Sequence, residues 1–186
     1  DLGERLLSPA FIDAHTHVSL SCLRGYTPQA SAEHNLVEAV FYNFESKIGH
    51  DDVLAFAKMG AFEALLNGTG LIWDHYYHGL ALAEAFQEVG ISAVIAPTLQ
   101  DLSGPGAKQH RSALKATEAI HGNSSLRASG IVAALGPHAT DTVSLGLFRE
   151  AGELAQALDI PLHCHLAQSL DEVERAYERH GVDPLG

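Results

Sequence analysis

Short, nearly unbroken apolar runs recur along this chain, separated by segments with helical spacing. Ser92-Ala93-Val94-Ile95-Ala96 and Gly130-Ile131-Val132-Ala133-Ala134-Leu135 are the clearest. A strand that is apolar in successive positions is covered on both faces, and such strands belong to parallel sheets joined by helical crossovers. The pattern predicts strands at about Ala10–Ala14, Thr69–Asp74, Ile91–Pro97, Ile131–Leu135 and Ile160–His165. Helices are predicted over Leu36–Ile48, Asp51–Asn67, Leu80–Val89, Gln109–Ile120 and Ser144–Leu158, with another after Ser169.

Local signals sharpen several of these elements. Asp51 is expected to cap its helix, Leu54, Ala57, Met59, Ala61 and Leu65 to form its apolar side, and Gly68 to stop it. Gly90 and Gly181 are read as stops of the same kind. Ser169 precedes Glu172 by three, a capping-box spacing, and Leu170, Val173, Ala176 and Tyr177 are expected to be buried beyond it. Asp1 to Pro9 reads as a lead-in, and Val18 to Ala32 as a long loop of the kind that carries function.

Alternating strands and helices fit either a doubly wound sheet or a (β/α) barrel. The placement of polar residues separates the two. His15 and His17, Asp74 and His75, His138, and His163 and His165 all fall at or just past the ends of predicted strands. In a parallel barrel those ends share one rim, whereas a doubly wound sheet binds ligands near one switch point. The expected fold is therefore α/β, a TIM-like (β/α)8 barrel of which about five βα units are present.

His15 and His17 are spaced i, i+2, so in extended chain they point to the same face. His163 and His165 repeat the spacing. Imidazole is the commonest metal ligand, and three of them with an open position make a hydrolytic metal site. The bland alternatives are exposed turn histidines at the first pair and hydrogen-bonded core histidines at the second.

Composition excludes other classes. The formal net charge of −12 argues against nucleic acid or an anionic membrane as partner. No apolar run approaches the roughly 18 residues that span a bilayer, and no basic leader precedes an apolar segment. Cys22 and Cys164 lie in unrelated contexts, which suggests reduced thiols and a cytoplasmic protein.

Four ordered motifs resemble the amidohydrolase superfamily, in its deaminase and chlorohydrolase branch. They are Pro9-Ala10-Phe11-Ile12-Asp13-Ala14-His15-Thr16-His17 with Leu23-Arg24-Gly25, then Asn67-Gly68-Thr69-Gly70 with Asp74, Leu135-Gly136-Pro137-His138-Ala139, and His163-Cys164-His165-Leu166-Ala167 with Glu172-Val173-Glu174. The resemblance covers almost the whole chain. It implies that His15, His17 and His165 hold one divalent metal ion, zinc first and iron or manganese as alternatives. It implies that His138 contacts a small heterocyclic substrate. Asp74 and His78 fall near the pocket rim without an assigned role. The implied reaction is hydrolytic deamination of an amino-substituted nitrogen heterocycle by metal-activated water.

Two departures qualify the resemblance. The family places a glutamate three residues after the third metal histidine, and here the catalytic position is Gln168. A neutral amide hydrogen-bonds but moves no proton. A non-catalytic or altered-chemistry relative is therefore an open alternative, as is a triazine dechlorinase or N-dealkylase. The second departure is length: residues 1–186 are expected to be the N-terminal portion of the barrel, with a small flanking β-domain and three further βα units outside them. Open sheet edges predict pairing with further chain or with another copy, as in a homo-oligomer.

Overall fold

The computed structural model of the chain describes residues 3–26 and 35–186. Four strands lie side by side in chain order, all parallel: β1 (Phe11–Thr16), β2 (Thr69–Tyr76), β3 (Ser92–Leu99) and β4 (Ile131–Ala133). A fifth, β5 (Gly136–Pro137), resumes the path of β4 after a break at Ala134-Leu135 and pairs with Thr98 and Leu99 of β3. Gly136 permits this approach, because a Cβ there would stand 2.6 Å from the Pro97 carbonyl oxygen. Sequential parallel neighbours joined by helices are the barrel pattern.

The helices are α1 (Asn43–Glu45), α2 (His50–Leu66), α3 (Gly79–Val89), α4 (His110–Gly122), α5 (Ser124–Ala128), α6 (Leu145–Leu158) and α7 (Leu170–His180). One core lies between α2, α3, α4 and the outer face of the sheet, where Ile72, Leu82, Phe86, Ile95 and Ile120 pack together. The inner face is covered separately by Trp73, Val94, Ala96 and Ala134. Alternate residues of β3 thus enter different clusters, the burial on both faces that its unbroken apolar run implies.

Several expectations are corrected. The long loop after β1 begins as a 3-10 turn, Val18–Leu23, seated on α2 at Gly60, where a Cβ would stand 2.3 Å from the Val18 carbonyl oxygen. Residues 27–32 of that loop, and Asp1 and Leu2 of the lead-in, lie outside the described residues. The helix expected over Leu36–Ile48 is a wide π-helical segment, Val37–Tyr42, running into α1. α2 is capped from Gly49, whose N–H donates to the Asp52 carboxylate at 3.0 Å, and Asp51 does not cap it. Ala57 and Ala61 are buried as expected, but Met59 is 63% exposed and Val53 takes an interior place. A short helix, α5, follows Asn123, whose side chain caps it.

The expected fifth strand, Ile160–His165, reaches the sheet as a single parallel bridge between Leu135 and Leu162. Pro161 has no N–H to donate, and the break in β4 offers little ladder to extend. The path is nonetheless strand-like: Leu135 N–H donates to Pro161, and the N–H groups of His163 and His165 donate to Leu135 and His138. Beyond it, α7 turns its apolar ends outward. Leu170 is 80% and Tyr177 64% exposed, whereas Glu172 and Ala176 are buried.

Candidate metal centre

β1 ends at Thr16, and its last turn of pleat aims His15 and His17 at the mouth of the sheet. The segment between α6 and α7 brings His165 to the same point. One ligand atom from each of His15, His17 and His165 lies within 4.8 Å of the others. Among the described residues, this is the group of histidine, cysteine and carboxylate side chains close enough to hold an ion.

The hydrogen bonds around these rings fix their protons. His17 Nδ1 donates to the carbonyl of His75. His165 Nδ1 donates to the carbonyl of His138 at 2.9 Å. A neutral imidazole that donates from Nδ1 carries a lone pair on Nε2. The two Nε2 atoms face each other at 3.2 Å, so neither has a proton to offer the other. A cation between facing lone pairs resolves that clash, and carbonyl-anchored imidazoles are how proteins orient metal ligands. The residues present therefore fit a divalent metal ion. His15 is exposed and bonds through Nδ1 to His163 Nε2 at 2.7 Å. His163 thus takes the position of a partner to a ligand, with its own Nδ1 buried and unpartnered among the described residues.

Burial keeps His17, His163 and His165 neutral. Removal from water lowers His17 to about 4, with the neighbouring His165 adding to the effect. His163 falls to about 4 through burial and then His15, and His165 is lowered chiefly by burial. Imidazoles that stay neutral below pH 7 are ready to bind metal without first losing a proton.

His138 is buried at the side of the centre, its ring 4.7 Å from that of His165. Thr142 Oγ1 donates to the Ala139 carbonyl at 3.3 Å and so accepts from His138 Nδ1 at 2.9 Å. That leaves His138 Nε2 as an acceptor. Burial, then His165, holds this ring down to about 3, so it stays neutral. Gln168 is exposed on the wall of the same cavity, which has a volume of about 250 Å³.

Other wall residues carry no motif in the sequence. Glu45 lines the cavity, and burial raises its carboxyl to about 7. Phe41, Tyr42, Tyr76 and Tyr77 supply an aromatic lining. Gln100, fully buried, ties the Tyr42 and Tyr77 hydroxyls together at 3.2 and 3.1 Å. An acid set among aromatics in Phe41-Tyr42-Asn43-Phe44-Glu45 was the available signal. His75 points inward from β2, fully buried, with neither ring nitrogen partnered among the described residues. Asp74 and His78, expected near the rim, are elsewhere. Asp74 is fully buried and accepts the Val18 N–H at 2.8 Å, and His78 starts α3.

The chain is 31% identical over its whole length to a 5'-deoxyadenosine deaminase of Methanocaldococcus jannaschii, covering 44% of that protein. It is 29% identical to a 5-methylthioadenosine/S-adenosylhomocysteine deaminase of Moorella thermoacetica, again over all of the chain and 42% of the relative. The chain therefore spans less than half the length of these curated relatives. Among solved structures, an adenosine deaminase from Xanthomonas campestris with bound zinc superposes with a TM-score of 0.80 at 23% identity, over 95% of this chain and 40% of that one. The shared fold is the α/β fold with parallel sheet seen in that enzyme. Residues 6–184 match the amidohydrolase family, and the chain belongs to it.

Proposed function

We propose that the protein containing this chain is a metal-dependent hydrolase that removes an amino group from a nitrogen heterocycle. The observation that carries the proposal is the facing pair of Nε2 lone pairs on His17 and His165, with His15 beside them. A divalent ion held by His15, His17 and His165 would supply Lewis acidity and an activated water. Zinc is the ion we assign, in line with the zinc in the Xanthomonas structure. The relatives' names point to adenine nucleosides as the substrate class.

The chain's own residues have distinct tasks. His138, neutral, accepts a hydrogen bond from the substrate through Nε2. The aromatic lining stacks on a planar ring, and Glu45 holds a polar substituent. Gln168 orients the reacting group by hydrogen bonding but carries no proton for it. Residues 1–186 form the N-terminal portion of the barrel, and the exposed edge of β1 is closed by further chain or a second copy. The cytoplasmic assignment rests on two unpaired cysteines, and no helix among the described residues is long and apolar enough to cross a membrane.

Gln168 also supports a second reading, a relative that binds heterocycles without turning them over. Release of ammonia from a panel of adenine nucleosides by zinc-loaded full-length protein tests the first reading. The same panel scores triazines by chloride or amine release. Gln168→Glu is expected to raise kcat by about 10²–10⁴-fold, the usual worth of a positioned acid or base. No turnover by either protein at full zinc occupancy would leave the binder.

A further inference from the structure

α7 opens with a carboxylate placed where surface solvation cannot explain it. Glu172 is fully buried. One oxygen accepts from Thr140 Oγ1 at 2.7 Å and from the Thr140 N–H at 3.4 Å. The other accepts the backbone N–H of Gln168 at 2.8 Å. In a capping box the carboxylate at this position turns back to the N–H of its own cap. Here only half of that box is present: Ser169 Oγ accepts the Glu172 N–H at 3.1 Å, and the carboxylate goes elsewhere.

The two turns it joins are those that follow His138 and His165. These histidines are already linked through backbone, since the N–H and Nδ1 of His165 both donate to the His138 carbonyl, at 2.8 and 2.9 Å. Between His165 and Gln168 the chain passes through Ala167 at φ 53°, a left-handed conformation that alanine keeps only when its surroundings hold it. The Gln168 N–H bound to Glu172 comes directly after that residue.

We propose that Glu172 is a positioning residue whose carboxylate clamps the turn after His165 to the turn after His138. The clamp fixes the third metal histidine, the substrate-facing histidine and Gln168 relative to one another. It deepens the metal-centre reading and rests on it for its link to metal affinity.

The test uses the full-length protein and the variants Glu172→Ala, Glu172→Gln and Ser169→Ala. Amide hydrogen exchange is measured without metal on peptides spanning 138–143 and 165–169, and cobalt binding is followed by visible absorption. Glu172→Ala is expected to speed exchange in both peptides by about tenfold, the equivalent of one buried hydrogen bond. Cobalt affinity is expected to fall about 10–100-fold, as for other residues that orient ligands. Glu172→Gln keeps an acceptor for Thr140 and is expected to fall between, and it carries the comparison should Glu172→Ala not fold. Ser169→Ala weakens the helix cap and leaves the clamp, so it is expected to keep wild-type affinity. Unchanged exchange in the Glu172 variants, or an equal loss of affinity in Ser169→Ala, would overturn the proposal. A wild-type protein that binds no cobalt would defeat the metal reading, while the exchange comparison still decides the role of Glu172.

Discussion

β3 buries every residue from Ala93 to Leu99, whereas Phe11 and Ile12 of β1 remain 69% and 65% exposed. β2 resembles β3, with Asp74, His75 and Tyr76 all buried. The segment carrying His165 lies at the opposite edge from β1 and is held more loosely still, touching the sheet through a single bridge where β1 has an irregular ladder to β2. The proposed metal ligands therefore come from the two least supported parts of the sheet, and the well-packed middle supplies only the cavity floor. A cation joining His15 and His17 to His165 would tie the loose edges across the rigid centre. Its binding energy would then also be folding energy for those edges.

The contrast in packing gives the largest expected effect. Ile95→Ala removes a fully buried side chain and is expected to cost about 2–5 kcal/mol in denaturant unfolding. Ile12→Ala in the same 186-residue chain is expected to stay within about 0.5 kcal/mol. Equal losses would break the comparison. A larger loss at Ile12 in the full-length protein would sharpen it, by showing that further chain covers β1.

Glu45 tests the cavity wall between the two regions. Its carboxyl is raised from 4.5 to about 7 by burial, so the folded state favours the protonated form. The stability it contributes is complete below about pH 4.5 and is lost as pH rises through 7. Wild type is thus expected to lose on the order of 3 kcal/mol relative to Glu45→Gln between those limits. Parallel stability curves would place Glu45 in water and not in the wall.

Metal binding has the smallest expected effect on global stability and the most local one. Zinc at about a hundredfold excess over its Kd is expected to stabilise the protein by about 2.7 kcal/mol. The gain in hydrogen-exchange protection is expected in β1 and residues 163–168, with little change in β3. Uniform protection would contradict the division into rigid centre and tethered edges.

The legible parts of the fold share a physical reason. Strand β3 is apolar on both faces, and α3 ends at Gly90 with φ 81°, so local pattern and tertiary burial agree there. The i, i+2 histidines could be read because a strand end fixes their direction. Local pattern failed where a distant partner decides. Leu170 and Tyr177 look like a buried stripe, yet Glu172 takes the interior because Thr140, 32 residues earlier, offers it donors. His163 could be read as ligand or core histidine, and only the approach of His15 distinguishes a partner from a ligand. Glu45 belongs to no quoted motif, and its perturbed carboxyl arises from packing that composition does not show.

Zinc content of the full-length protein, purified without a histidine tag and dialysed against trace zinc, is the most direct measurement. About one ion per wild-type chain is expected, with His165→Ala losing it although both His15 and His17 remain. Fewer than about 0.2 ions per wild-type chain, or undiminished zinc in His165→Ala, would contradict a centre shared between the two edges of the sheet.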